Sequence, residues 1–229
     1  MDFAPRVKED NPDPRIACAL LLDTSYSMSG SPMEELNAGF QLFCQEVHDD
    51  DLTAKRAEIA VITFGGMARV EIPFTEGRDL QPKPLQPSGN TPMGAAIDLG
   101  LNQIEARKTE YKAAGLEYYR PWLFVLSDGE PTDGPVFTAA VQRLRAVEAA
   151  RGVTVFGIGV GSQVNMSALG QLSGERTPIR LQGVSFREFF SWLSRSLSSA
   201  SSSNAFGSSD SSAVDQQIPL PSPAGWAAV

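Results

Sequence analysis

Directly after an apolar run near the start of the chain stands Asp23-Thr24-Ser25-Tyr26-Ser27, one carboxylate and two serine hydroxyls at alternate positions. In an extended turn, side chains two residues apart point the same way, so the hydroxyls of Ser25 and Ser27 can meet one ion. Two more polar positions lie far off in sequence: Thr91, in Ser88-Gly89-Asn90-Thr91-Pro92, and Asp128, in Leu126-Ser127-Asp128-Gly129. Hydroxyl and carboxylate oxygens suit a hard divalent cation. Mg²⁺ is the first choice, since it keeps several waters and takes few direct carboxylates; Mn²⁺ or Ca²⁺ are its substitutes. On this reading Asp23 and Asp128 act mainly as outer acceptors, receiving hydrogen bonds from metal-bound water and from the serine hydroxyls. The expected metal-site residues are Asp23, Ser25, Ser27, Thr91 and Asp128.

Each piece alone has a plainer explanation. Ser and Asp crowd into any turn after a strand. Thr91 reads as a helix N-cap with Pro92 at the first helical position. Asp128-Gly129 is a common turn dipeptide. Glu130 and Asp133, just beyond, read first as turn and helix N-terminal carboxylates. What sets the group apart is that three separate segments occur in order, each at a strand end or a helix start.

Those positions follow from the apolar pattern. Ile16 to Leu22 is continuously apolar, as in a strand buried on both faces of a parallel sheet. Met33, Leu36, Phe40, Phe43 and Val47 recur at helical spacing, with Pro32 in the first turn. Ala57 to Phe64 is a second strand, and Gly65-Gly66 turns the chain into a short hairpin partner, Ala68 to Ile72. A proline-rich connection, residues 73–87, leads to a helix with Ile97, Leu101 and Ile104 inward. Trp122 to Leu126 is a central strand, followed by a helix carrying Val136, Val141, Leu144 and Val147. Val153 to Ile158, Met166 to Leu172 and Ile179 to Leu181 continue as strand, helix and strand. Phe186, Phe189, Phe190, Leu193 and Leu197 mark the last helix. The expected fold is α/β: a doubly wound, mostly parallel central sheet with one antiparallel edge strand and helices on both faces. Such sheets bind ligands beyond the carboxyl ends of their strands, near a topological switch point, where all three polar segments fall.

The domain boundaries expected are an N-terminal extension over 1–14, the α/β domain over 15–197, and a tail over 198–229. Serine-rich composition from Ser198 to Ser212 buries too little apolar area to order itself. Pro219, Pro221, Pro223 and Trp226 beyond it have the make-up of a short docking peptide, acting on a partner or on the domain itself, or of an ordinary tail.

Taken together, these segments resemble a von Willebrand factor type A domain with a metal-ion-dependent adhesion site, whose pattern is Asp-x-Ser-x-Ser with a separate Thr and a separate Asp. The matches are Asp23, Ser25 and Ser27, then Thr91, then Asp128, and the likeness covers roughly Ile16 to Leu197. More narrowly, Leu-Leu-Asp23-Thr-Ser-Tyr-Ser, Asn90-Thr91-Pro-Met-Gly-Ala-Ala-Ile and Leu-Ser-Asp128-Gly-Glu-Pro-Thr-Asp133 are similar to the bacterial TerY-like group linked to tellurium resistance. That resemblance implies a non-enzymatic stress-response scaffold working beside a protein kinase and a protein phosphatase, with one metal position left open for an acidic residue of a protein partner. Ser127 stands where Thr is common in the family, and Tyr26 takes a position that is usually acidic or variable.

Other chemistry fits less well. A net charge of −8 and the lack of any Lys- or Arg-rich run repel phosphate backbones and anionic lipid, so nucleic acid and membrane are not expected partners. No apolar stretch approaches the ~20 residues that span a bilayer. Residues 1–15 lack a signal-type apolar core, and two isolated cysteines, Cys18 and Cys44, read as reduced and buried thiols, which points to the cytoplasm. Gly157-Ile-Gly159-Val-Gly161 lacks the third spaced glycine of a dinucleotide loop. His48, the single histidine, sits near a helix C-terminus where the dipole favours it, and one histidine gives hydrolytic triads and zinc sites little support. A Mg²⁺-dependent phosphohydrolase would place a second Asp at position 25, which is Ser. An adaptor for a ring ATPase is the remaining alternative, and it would need that ATPase as a separate partner.

Overall fold

The computed structural model describes residues 7–8, 10–161, 164–183, 185–202 and the backbone of 227–228. Its first strand, β1 (Ile16–Asp23), is buried at every position. Ile16, Cys18, Leu20 and Leu22 face one core and Ala17, Ala19 and Leu21 the other, the two-residue alternation of a strand covered on both sides. β2 (Ala57–Gly65), β4 (Trp122–Ser127), β5 (Thr154–Gly159) and β6 (Ile179–Leu181) run parallel to it. β3 (Met67–Glu76) pairs antiparallel with β2 as the expected edge strand. The sheet order is β3-β2-β1-β4-β5-β6-β7. Its far edge adds a feature the sequence did not suggest: β7 (Ala227–Ala228) pairs antiparallel with β6. Two alanines carry no periodic signal, so only the pairing reveals them.

One face of the sheet is covered by α1 (Ser31–Asp49) packed on α6 (Phe186–Ser202). Phe40, Phe43 and Phe190 meet there, and Phe124 of β4 stacks on Phe156 of β5 at 4.4 Å between ring centres beneath Phe189 and Trp192. The short α2 (Asp51–Arg56) follows α1 directly. The other face carries α3 (Met93–Ala113), α4 (Gly134–Ala149) and α5 (Met166–Gly170). No helix among the described residues is long and apolar enough to cross a membrane. Cys18 and Cys44 are free and buried, and His48 lies in the last turn of α1 beside Asp49.

Three local expectations need correction. The last helix does not stop at Leu197 but runs to Ser202, because its serines have partners. Ser198 Oγ donates to Asp50 Oδ2 at 3.0 Å, Ser196 Oγ to the Trp192 carbonyl at 2.7 Å, and Ala200 is fully buried. Val136, expected on an inward stripe, is 45% exposed, and its neighbour Phe137 is the buried residue of that turn of α4 instead. The N-cap of α3 is Pro92, and Thr91 does not cap with its side chain. Residues 203–217 and the Pro219 to Trp226 segment lie outside the described residues.

The amino ends of the strands close over a buried charge cluster. Glu58 accepts from Arg107 Nε at 2.5 Å and from Tyr111 Oη at 2.6 Å, with Arg15 Nε 3.3 Å away. Arg15 also donates to the carbonyls of Lys8 and Asn11 at 3.0 and 2.6 Å, holding the N-terminal segment to this cluster. A lone buried charge is far costlier than a matched group. Glu58→Ala should therefore destabilise the domain by about 3–5 kcal/mol, read as a fall in the urea midpoint; a loss near that of an ordinary surface substitution would refute this role.

Candidate metal centre

Leu22 of β1 pairs with Leu126 of β4, so Asp23, Ser127 and Asp128 leave the sheet side by side. β2 lies on one flank of β1 and β4 on the other, which makes this crevice the topological switch point. Asp23 Oδ1 accepts from the Ser25 backbone N–H at 2.8 Å, an Asx-type turn that bends the chain out of the strand. A 3-10 turn over Tyr26–Met28 follows, anchored by buried Met28. It brings Ser25 Oγ within 2.9 Å of Ser27 Oγ, and Ser27 Oγ donates to Asp128 Oδ1 at 2.9 Å. Ser27 gives its one proton to Asp128, so Ser25 is the donor within the serine pair.

Thr91 arrives from a third segment. Its N–H donates to Thr132 Oγ1 at 3.1 Å, and its carbonyl accepts from the Thr132 N–H at 2.9 Å. A Cβ placed on Gly129 would lie 3.9 Å from Thr91 Oγ1 and 4.0 Å from Ser27 Oγ, so both hydroxyls face the small gap over Gly129. All five expected residues are thus gathered at one crevice. The amides that begin α3 are capped instead by Asp133: Gly94 N–H donates to its Oδ1 at 3.2 Å and Ala95 N–H to its Oδ2 at 2.9 Å. Asp133 is committed to the helix and Thr91 is released from it. Glu130 accepts from Asn165 Nδ2 at 2.9 Å.

Glycine permits this meeting of segments. A Cβ on Gly94 would fall 2.3 Å from the Phe137 backbone nitrogen, so α3 and α4 can start side by side only with glycine there. A Cβ on Gly65 would fall 2.2 Å from the Thr24 carbonyl oxygen, where the β2–β3 turn presses on the Asp23 loop. The sequence reading saw Gly65 only as part of a hairpin turn. Ser127, noted in the sequence only as standing where Thr is common and given no place in the site, has an Oγ that donates to Asp23 Oδ2 at 2.5 Å and accepts from Gly129 N–H at 3.2 Å. A hydroxyl closing an otherwise apolar strand just before Asp128 was the signal.

Burial pushes the Asp23 carboxyl up to about 6, against the hydrogen bonds from Ser127 and Ser25, and the neighbouring charge of Asp128 pushes the same way. Burial also raises Asp128, partly opposed by the Ser27 hydrogen bond. A cation among these oxygens answers both causes, so the donor set fits a hard divalent ion. Among the described residues no three His, Cys, Asp or Glu side chains form a cluster able to hold a metal, and the mixed hydroxyl and carboxylate cluster is therefore the centre to test.

A doubly wound α/β domain here gathers hydroxyls and carboxylates at its switch point, a donor set of the kind that suits a hard divalent ion. The model of the von Willebrand factor type A domain matches residues 18–189, and the chain belongs to that family. No curated protein matches the sequence. Among solved structures, the proximal thread matrix protein 1 of the mussel byssus, described with a zinc-occupied MIDAS motif, is 19% identical, with a TM-score of 0.55 over 81% of this chain and 48% of that one. A von Willebrand factor type A protein from Catenulispora acidiphila is 17% identical, with a TM-score of 0.58 over 81% and 43%. The pilus adhesin SpaC from Lactobacillus rhamnosus GG is 10% identical, with a TM-score of 0.65 over 83% and 31%. Likeness at these identities concerns the fold, and this chain spans less than half the length of each.

Two outcomes follow from the geometry. The Asp23 carboxyl is raised in the folded state, so the unfolded chain releases its proton first as pH rises from about 4 to 6, and the cation-free fold loses stability over that range. In chelator, Asp23→Asn should be more stable than wild type at pH 7.5 by on the order of 3 kcal/mol, and urea titrations at pH 4 should find the gap nearly closed. A gap independent of pH would contradict a buried, ionised Asp23. Asp133→Ala should cost about 1 kcal/mol through loss of the α3 cap and speed amide exchange at Gly94 and Ala95; unchanged exchange there would remove the capping role.

Proposed function

We propose that this domain is a metal-dependent protein-docking module. Ser25, Ser27 and Thr91 supply hydroxyl oxygens to a divalent cation, Mg²⁺ in the first instance, while Asp23 and Asp128 hold those oxygens and balance the charge. The cation supplies a Lewis-acidic position that attracts an acidic side chain of a partner protein. Because direct carboxylate ligation is sparse, the ion retains positive character toward that side chain. The observation that carries this reading is the unbroken chain from Ser127 through Asp23, Ser25 and Ser27 to Asp128, with Thr91 beside it. The zinc in the mussel protein's motif, at a similar fold, favours a divalent ion here as well.

The setting we propose is a bacterial stress-response system of the tellurium-resistance kind, in which the module scaffolds a kinase and a phosphatase. Its support is the likeness of the three motif segments to the TerY-like group. In this role the domain binds, and none of its residues acts as a catalyst.

Thermal melting should show wild-type protein stabilised by saturating Mg²⁺ and returned to its starting midpoint by chelator. At a metal concentration a hundredfold above Kd the gain is about 2.7 kcal/mol. Asp23→Ala should fold and lose that gain. Affinity purification from the native cell in Mg²⁺ and in chelator should capture a partner only in Mg²⁺ and only with the wild-type domain. A melting midpoint indifferent to Mg²⁺, Mn²⁺ and Ca²⁺ would refute the metal reading, and capture that persists in chelator would refute metal-mediated docking.

A further inference from the structure

Cys44 and His48 stand one helical turn apart on α1, so their side chains rise from one face of the helix with Cβ atoms about 5–6 Å apart. Both line a single cleft of about 250 Å³ between α1 and residues 80–82, together with the amide side chains of Gln41, Gln45 and Gln81. The wall facing α1 is fixed. Leu80 is buried in the core, and Asn37 of α1 holds Leu85 through both its N–H and its carbonyl, at 2.7 and 3.0 Å. Cys44 is the shielded member of the pair, 3% exposed, while the His48 side chain is largely open to solvent.

The helix dipole accounts for a histidine in the last turn of α1. It does not account for a thiol beside that histidine in a shared hollow lined with amides. Thiolate sulfur and imidazole nitrogen are the donors that Zn²⁺ and its relatives favour. His48 Nδ1 faces Asp49 Oδ1 at 3.7 Å. A carboxylate on that side of the ring leaves Nε2 for a cation, the arrangement common around metal-bound histidines. No group of three His, Cys, Asp or Glu side chains forms here among the described residues, so glutamine amide oxygens or water complete the shell.

We propose that Cys44 and His48 form a second cation site, one that takes a thiophilic divalent ion of the Zn²⁺ kind. Its donor chemistry separates it from the strand-end centre, which offers only oxygens; excess Mg²⁺ can fill that centre without competing for sulfur and nitrogen. Binding breaks the Cys44 S–H bond: the sulfur keeps the electron pair and donates it to the cation, and the proton leaves to water. Burial pushes the free thiol up to about 12, so the cation has to displace a bound proton at neutral pH. Cys18, the other thiol, is wholly buried in β1 and lines no part of this cleft.

Co²⁺ titrated into the reduced full chain in excess Mg²⁺ tests the site, because only a thiolate ligand gives the intense near-ultraviolet sulfur-to-cobalt charge-transfer band. The band should rise to saturation and fall when Zn²⁺, which such donors bind more tightly, is added. Cys44→Ser should abolish the band, and His48→Ala should weaken binding by more than about tenfold, with thermal melting showing both variants folded. Should Cys44→Ser fail to fold, His48→Ala, on an exposed side chain, still decides. Absence of a saturable band would overturn the proposal. A band that survives Cys44→Ser would place the thiolate elsewhere and overturn it too, and unchanged affinity in His48→Ala would reduce the site to a single thiol and overturn the pairing.

Discussion

Two carboxylates of the same sign, Asp23 and Asp128, are held near each other at the ends of adjacent strands, with Asp23 almost entirely shielded from water. Like charges in a poorly solvated place repel and resist ionisation, so the surrounding structure has to hold them in position. It does so with hydroxyls and one amide: Ser127 and the Ser25 N–H on Asp23, Ser27 on Asp128. These neutral donors ease the burial without cancelling the charge. The parallel register of β1 with β4 is what makes the arrangement possible, because it delivers both carboxylates to one crevice.

The two ends of the sheet treat buried negative charge in opposite ways. At the amino end Glu58 is answered within the chain by Arg15, Arg107 and Tyr111, a closed network that fixes the N-terminal segment. At the carboxyl end the answering groups carry no formal charge, and Ser27 and the Tyr26 side chain stand in solvent. A network complete in itself serves structure; one left short of positive charge is suited to take a cation from solution. The same polypeptide thus keeps its charge chemistry internal at one end and open at the other.

Around the open end the loops are joined to one another as well as to the sheet. Thr91 is paired with Thr132, the start of α3 with Asp133, and the β2–β3 turn with residues 24 and 88–90. Such cross-links pre-position oxygen atoms that would otherwise sit on mobile turns, and a pre-positioned set loses less conformational entropy when it binds. Gly65 and Gly94 are part of this device, since any side chain there would drive the segments apart.

The sequence by itself determined the strand and helix order, the two-sided burial of β1, and the identity of the oxygens at the strand ends. Alternation, helical spacing and side-chain chemistry are local properties that can be read one segment at a time. The tertiary structure decided which polar groups answer one another. Ser27 meets Asp128 across 101 positions and Ser127 meets Asp23 across 104, and nothing local announces either pair. It decided as well that Asp133 and not the Thr91 side chain caps α3, that serines facing Asp50 and the Trp192 carbonyl extend α6, and that two alanines join the far sheet edge. A capping group, a helix end or an edge strand is chosen by whichever partner packing brings within hydrogen-bonding distance, and packing is a property of the whole chain.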